Sequence, residues 1–230
     1  MSSNAAAASE SQTGSEDNSV TASAHFQTTP PGIRYLQYSL EKEVEYLPQI
    51  RELISKDLSE PYSIYVYRYF LYQWPELCFM AVDALEDNKL AGVVICKLEP
   101  HRRGPLRGYI AMLATKDKFR GKGIATTLVS KAIDSMIEKD ADEIALETEE
   151  TNTAAMKLYE RLGFLRSKKL HRYYMNGNSA YRLLLYLKEG VGSIATEGEY
   201  NGSGLDVQDE MRYPHRYQES AQDVFSRGIV

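Results

Sequence analysis

The chain has 230 residues, 43% hydrophobic and 26% charged, a length and balance suited to one domain that buries its own core. Its net charge of -5 divides into -3 over residues 1–32, +2 over residues 33–189 and -4 over residues 190–230, so the central part carries little cationic excess and bulk nucleic-acid binding is not expected. Cys78 and Cys96 each sit in an apolar run and read as buried thiols in a reducing compartment; no run reaches the roughly 18 to 20 apolar residues of a membrane span, residues 1–29 lack the pattern of a secretory leader, and a cytoplasmic protein is expected.

Residues 1–32 are rich in Ala, Ser and Thr with three acids and little aliphatic bulk, the composition of a disordered acidic tail. A strand is predicted over 33–38, then a helix in which Val44, Leu47, Ile50, Leu53 and Ile54 recur at helical spacing. After a break at Ser59-Glu60-Pro61, a second helix is predicted over 63–74, closed by Pro75; its tyrosines (Tyr62, Tyr65, Tyr67, Tyr69, Tyr72) read mostly as packing residues. Strands at 77–82 and 90–98, joined by a turn at 86–88, and a strand at 106–114 after the loop 100–105 make an antiparallel meander. An amphipathic helix follows at 124–139, a strand at 143–148, a short helix at 153–162 stopped by Gly163, and two closing strands at 164–174 and 181–187. From residue 190 Gly, Ser and Glu again dominate, a mostly disordered tail in which Met211, Tyr213, Tyr217, Val224 and Phe225 could form a short docking segment. This order describes a mixed α/β (α+β) domain over 33–189, its helices covering a central, mostly antiparallel sheet with a parallel step near Glu143.

Two segments concentrate chemistry. Arg120-Gly121-Lys122-Gly123-Ile124-Ala125 lies where a strand gives way to a helix. The helix start presents unpaired N–H groups and the positive end of a dipole, the glycines permit close approach and the two cations add charge, which suits a pyrophosphate. The same glycines also serve a tight strand-to-helix connection, and the spacing fits neither a P-loop nor a dinucleotide fingerprint. Downstream, Leu146-Glu147-Thr148-Glu149-Glu150-Thr151-Asn152 runs off a strand end into a short helix holding Tyr159, then Gly163-Phe164. By itself Glu147 is also readable as a solvated strand-end acid and Tyr159 as a core aromatic. His25, His101, His171 and His215 are scattered and match no zinc spacing, so no metal is expected.

Together the two segments resemble the GNAT acetyltransferase superfamily, whose coenzyme loop reads Arg/Gln-x-x-Gly-x-Gly/Ala and is met here by Arg120, Gly123 and Ala125. The resemblance narrows to the catalytic subunits of NatC N-terminal acetyltransferase complexes through the run from Asp57 to Phe70, Gln73-Trp74-Pro75-Glu76-Leu77, Arg107-Gly108-Tyr109-Ile110 and Arg172-Tyr173-Tyr174. It implies a GNAT fold whose twisted sheet has two strands splayed apart, with acetyl-CoA in the gap. Met112, Leu113 and Ala114 would give backbone contacts to pantetheine, Arg120, Gly121, Lys122, Gly123, Ile124 and Ala125 would hold the pyrophosphate, and Asn152 would bind the pantetheine arm. The acceptor would be a protein α-amino group, whose pKa near ~7.7 to 8.0 leaves much of it protonated at neutral pH and calls for a base. Glu147, beside the gap, is the candidate base, acting through a water, and Tyr159 would sit at the thioester sulfur and protonate the departing thiolate; Glu60 would bind the ammonium or share the base role. Leu58, Pro61 and Tyr62 would shape the peptide pockets, with Tyr109, Tyr173 and Tyr174 as the opposite wall. Substrates starting with Met and a bulky hydrophobic residue follow, with a large scaffold subunit, a small Sm-like subunit, nascent polypeptide N-termini and the ribosome as partners. Acetylation of lysine or a small amine, and a non-catalytic CoA-binding module, are the competing readings. The basic loop His101-Arg102-Arg103 reads as a solvated hairpin or an RNA contact.

Overall fold

The computed structural model describes residues 30–58, 62–101 and 104–191. Residues 1–29, Ser59, Glu60, Pro61, Arg102, Arg103 and residues 192–230, with the docking segment expected in the second tail, lie outside the described residues.

Strand β1 (Ile33–Gln37) leads into α1 (Glu43–Asp57), and α2 (Ile64–Gln73) follows. The inward stripe of α1 is Tyr46, Leu47, Ile50, Leu53 and Ile54. Val44, expected on that stripe, is 91% exposed, because at 100° per residue it lies on the flank of a stripe centred on Ile50 and Ile54. Of the α2 tyrosines Tyr67 is buried, while Tyr69 and Tyr72 donate their hydroxyls to Glu99 and Glu43. Pro75 starts a 3-10 turn (Pro75–Leu77), so β2 (Phe79–Asp83) begins two residues later than the apolar run suggests. It turns into β3 (Lys89–Pro100) through Asp87 and Asn88, which take φ of 51° and 54°, a region that short side chains able to bond locally tolerate.

Next come β4 (Leu106–Thr115), α3 (Ile124–Glu138), β5 (Glu143–Glu149), α4 (Thr153–Arg161), β6 (Leu165–Leu170) and β7 (Ala180–Tyr186). The seven strands form one sheet in the order β1-β2-β3-β4-β5-β7-β6. Every neighbouring pair is antiparallel except β4 with β5, joined through α3; this is the parallel step expected near Glu143. The α1–α2 pair packs on one face against Val93, Ile95, Met112 and Ala114. Helices α3 and α4 pack on the other against Val94, Cys96, Ile110 and Ile144. Close seating of α3 depends on Gly108, where a Cβ would lie 2.4 Å from Met136 Sδ.

One irregularity positions the site. Ile95 pairs with Met112 but Cys96 pairs with Ile110, leaving Ala111 as an extra residue in β4, a bulge that bends the strand and re-aims its side chains. Ile110 therefore joins the α3 core, whereas Met112 and Ala114 join the α1–α2 core, although strict alternation would put all three on one face.

Candidate active site

Strands β4 and β5 pair over only three positions, Arg107↔Glu143, Gly108↔Ile144 and Tyr109↔Ala145. Beyond these β4 continues to Thr115 and β5 to Glu149 without pairing each other, so the sheet opens next to the Ala111 bulge. A cavity of about 240 Å³ fills the opening, lined by residues 109–113 of β4, residues 147–149 of β5, and Asn152, Ala155 and Tyr159 of the α4 segment. Asp57, Leu58, Tyr62, Val66 and Phe70 close it on the α1–α2 side, and Tyr173, Tyr174 and Met175 on the other. Backbone N–H and C=O groups on the opened edges lack a strand partner and must find one elsewhere, which suits an extended amide-bearing arm. Met112 and Leu113 line the cavity, while Ala114 lies buried in the α1–α2 core.

Glu147 occupies the open part of β5 with its side chain only 3% exposed. Its Oε2 accepts the Tyr109 hydroxyl at 2.6 Å and its Oε1 accepts Arg182 Nε at 2.7 Å. Of the two pulls on Arg182, burial lowers its pKa and the Glu147 charge and hydrogen bond raise it; the raising effects prevail. Tyr173 keeps a buried hydroxyl with no hydrogen-bond partner among the described residues, and burial, then the Glu147 charge, push its pKa up. Its ring meets Tyr174 edge-on at 5.1 Å.

Tyr159 is 5% exposed and packs edge-on against Phe164 at 5.5 Å. Burial first, and then Cys96, raises its pKa, so it stands in the cavity as a hydroxyl donor throughout neutral pH. Asn152 caps α4, its Oδ1 accepting Ala155 N–H at 3.0 Å, which leaves its Nδ2 as a donor toward another acceptor. Cys78 and Cys96 are buried free thiols. Burial lifts Cys78 to about 12 and Cys96 well above the ordinary thiol value, and neither lines the cavity, so neither offers a nucleophilic thiolate.

The 120–125 turn lies past the end of β4 and does not line the enclosed cavity. Gly121 and Gly123 take φ of 73° and 78°, and Gly123 caps α3 without any side chain bonding its first-turn N–H groups. A Cβ at Gly121 would meet nothing within 4 Å; its glycine serves conformation, not space. These features fit a phosphate at the α3 start. The Arg120 guanidinium is already engaged, with Asp57 at 3.1 Å and Asp117 at 3.0 Å, and its Nε donates to Thr115 O at 3.2 Å. Lys122 Nζ lies over the Phe119 ring at 5.4 Å.

The structure thus gathers Leu58, Tyr62, Tyr109, Met112, Leu113, Glu147, Asn152, Tyr159, Tyr173 and Tyr174 around one cavity, while Glu60 and Pro61 lie outside the described residues. The sequence reading missed Arg182 and Asp57. The signal for Arg182 was a single charge inside the apolar run of β7; Asp57 gave none beyond its place at a helix end. Among the described residues no group of three or more His, Cys, Asp or Glu is placed to hold a metal ion, and no helix is long and apolar enough to cross a membrane.

An open mixed sheet, a parallel pair splayed beside a bulge, and a glycine turn at the following helix start define an acyl-CoA-dependent transferase class of fold. The family model described as "Acetyltransferase (GNAT) family" matches residues 47–164. Over 156 residues the chain is 54% identical to N-alpha-acetyltransferase 30 of Homo sapiens, covering 68% of this chain and 41% of that protein. Over 142 residues it is 56% identical to N-alpha-acetyltransferase 30 of Schizosaccharomyces pombe, covering 62% and 93%. A solved chain of the NatC complex bound to Gag peptide and CoA has a TM-score of 0.66 at 51% identity, over 68% of this chain and 99% of that one. The chain belongs to the acetyltransferase (GNAT) family, alongside its relatives named N-alpha-acetyltransferase 30. It spans about two fifths of the length of the human relative.

Proposed function

We propose that the protein is the catalytic subunit of a NatC-type complex and moves acetyl from acetyl-CoA to the α-amino group of proteins that begin with Met and a bulky hydrophobic residue. The observation that carries this reading is the cavity at the β4–β5 splay, where a buried carboxylate, a buried tyrosine hydroxyl and an apolar wall converge. The relatives named N-alpha-acetyltransferase 30 and the NatC chain bound to CoA support the same donor and acceptor.

In this mechanism the opened edge of β4 pairs with the pantetheine arm, Asn152 Nδ2 adds a donor, and the α3 start holds the pyrophosphate. The peptide enters between Leu58 and Tyr62 on one side and Tyr109, Tyr173 and Tyr174 on the other, where aromatic rings accept an apolar second residue and hydroxyls meet its backbone. Glu147 draws a proton from the α-ammonium through a water. The amine nitrogen then bonds to the thioester carbonyl carbon and the C–S bond breaks; the sulfur takes the Tyr159 hydroxyl proton, Tyr159 is reprotonated by the nitrogen's second proton through water, and the first proton passes from Glu147 to solvent. Transfer is direct, in a ternary complex. A large scaffold subunit and a small Sm-like subunit accompany the chain, which works in the cytoplasm on nascent polypeptides at the ribosome.

The test is CoA release with a Met-Leu peptide, the same peptide with its α-amino group blocked, and Ser- or Ala-starting peptides, with partner subunits present. Turnover confined to the free Met-Leu terminus and strongly reduced by Glu147→Gln is expected. Equal turnover on the blocked peptide would point to lysine side chains instead, and Met-Leu starts reacting no faster than Ser or Ala starts would sink the specificity.

A further inference from the structure

The residue that the mechanism above leaves unused is Arg182, and this inference rests on that functional reading. Glu147 and Arg182 are direct partners across the antiparallel β5–β7 pair, and their side chains are 3% and 15% exposed. The two carboxylate oxygens are divided between strands on opposite sides of β5: Oε2 takes the Tyr109 hydroxyl from β4 and Oε1 takes Arg182 Nε from β7. Because β4 and β5 have stopped pairing at Tyr109↔Ala145, no backbone hydrogen bond on the β4 side restrains this end of β5. The side-chain bridge does so.

We propose that Arg182 is a positioning residue for acetyl transfer: it fixes the Glu147 carboxylate between β4 and β7 and cancels its charge, so that an arriving α-ammonium gives up its proton instead of being held as an ion pair. A lone buried carboxylate would hold the ammonium tightly and favour its protonated, non-nucleophilic form. Paired with Arg182 the carboxylate still accepts a water, since each oxygen keeps a lone pair, but the pair is electrically neutral. Of the other charges near the cavity, Asp57 is paired to Arg120 and Lys97, which lies over the Tyr109 ring, is paired to Glu99, while Glu149 accepts from the neutral amides of Asn176 and Asn178 and keeps its own charge. Among the described residues, the Tyr109 hydroxyl bonds Glu147 and the Tyr173 hydroxyl feels its charge.

The experiment measures CoA release from acetyl-CoA and a Met-Leu peptide between pH 6 and 9, with partner subunits present, for wild type, Arg182→Met, Arg182→Gln, Arg182→Lys, Glu147→Gln and the double variant Glu147→Gln/Arg182→Met. Arg182→Met should lower kcat by about 100-fold without raising the peptide KM, and move the acid limb of log kcat/KM upward by about one pH unit. Arg182→Gln should move the limb likewise, while Arg182→Lys leaves it in place. In the Glu147→Gln background, Arg182→Met should remove less than about threefold more, because residues acting as a unit are non-additive. A merely structural role gives the same loss in both backgrounds, an unmoved limb and a raised peptide KM; any of these in an active wild type overturns the proposal alone. Should Arg182→Met not fold, the Gln and Lys variants decide by whether the limb follows the charge. A wild type that binds acetyl-CoA yet turns over no free N-terminus overturns the functional reading and this inference with it.

Discussion

The paired end of the β4–β5 seam carries a buried ion pair, and removing half of it should be costly in a specific way. Glu143 is 0% exposed, its Oε1 accepts Arg107 Nε at 2.5 Å, and its Oε2 has no partner among the described residues. The two residues are also the first of the three β4–β5 partners. Arg107→Met leaves a carboxylate with no counter-charge and at most a water for company, and breaking a buried pair from one side costs about 3–5 kcal/mol. With about 2–4 °C of melting temperature per kcal/mol for a domain of this size, the expected fall is on the order of 10 °C. The double variant Arg107→Met/Glu143→Leu should recover most of that, since well-packed apolar groups replace buried pairs at little cost. Melting by circular dichroism and guanidinium titration give the two stabilities, and acetyl-CoA KM reports the splay. The single variant should also raise that KM, because Tyr109↔Ala145, the last pair before the gap, lies two positions away on each strand. A single variant within 1 kcal/mol of wild type, or a double no better than the single, refutes the reasoning.

Other substitutions separate chemistry from scaffold. Tyr159→Phe should lower kcat by about 100-fold or more while leaving both KM values within about threefold, read by steady-state CoA release. Gly121→Ala should cost about 1 kcal/mol of stability through its positive φ alone, since its Cβ meets nothing, and raise the acetyl-CoA KM if the turn holds the pyrophosphate. Asn152→Ala should cost about 1 kcal/mol through the lost α4 cap, measured by denaturant unfolding. Cys78, lifted to about 12 by burial, is thiolate to about one part in ten thousand at pH 8; iodoacetamide on the folded protein should leave transfer intact, and loss of activity matched to labelling of Cys78 or Cys96 would revive a cysteine route.

What the sequence made legible and what it did not divide along a physical line. Periodicity located α1, α3 and the meander because each carries a continuous apolar face whose burial dominates its local energetics. The glycine turn and the strand-end Glu147 were legible because residue type and position coincide: positive φ at Gly121 and Gly123, a carboxylate leaving an apolar strand. Val44 shows the limit from one direction, being apolar and near the right spacing yet exposed at the helix start. Arg182 shows it from the other, since its ion pair with Glu147 rests on register across β5–β7, a relation between residues 35 apart. A mostly apolar strand with one arginine reads equally as a surface position until the partner strand is known. The Arg120 contacts are of the same kind, because the charge was visible in the motif and its engagement by Asp57 and Asp117 was not.

The Ala111 bulge is the device that links these parts. An extra residue in β4 opposite β3 increases local twist and bends the strand, and β5 cannot follow because its other edge stays paired to β7 from Glu143 to Glu149. The sheet must therefore part at this level and nowhere else along β4. The same residue reverses the facing of the strand, sending Ile110 to the α3 side and Met112 and Ala114 to the α1–α2 side, so each wall of the opening is anchored in a different core. Both walls then stand on rigid elements, which is what holding two reactants within bonding distance demands. Glu147 and Tyr159, on the β5–α4 side, are carried by one core, and the α1–α2 side of the cavity is carried by the other. Their relative placement depends on β3 and β4, shared by both cores, so deleting Ala111 should do more than lose one small side chain. It would restore regular β3–β4 pairing at this level with Ile110 and Met112 still on opposite faces, remove the bend, and let β4 run on beside β5, closing the cavity.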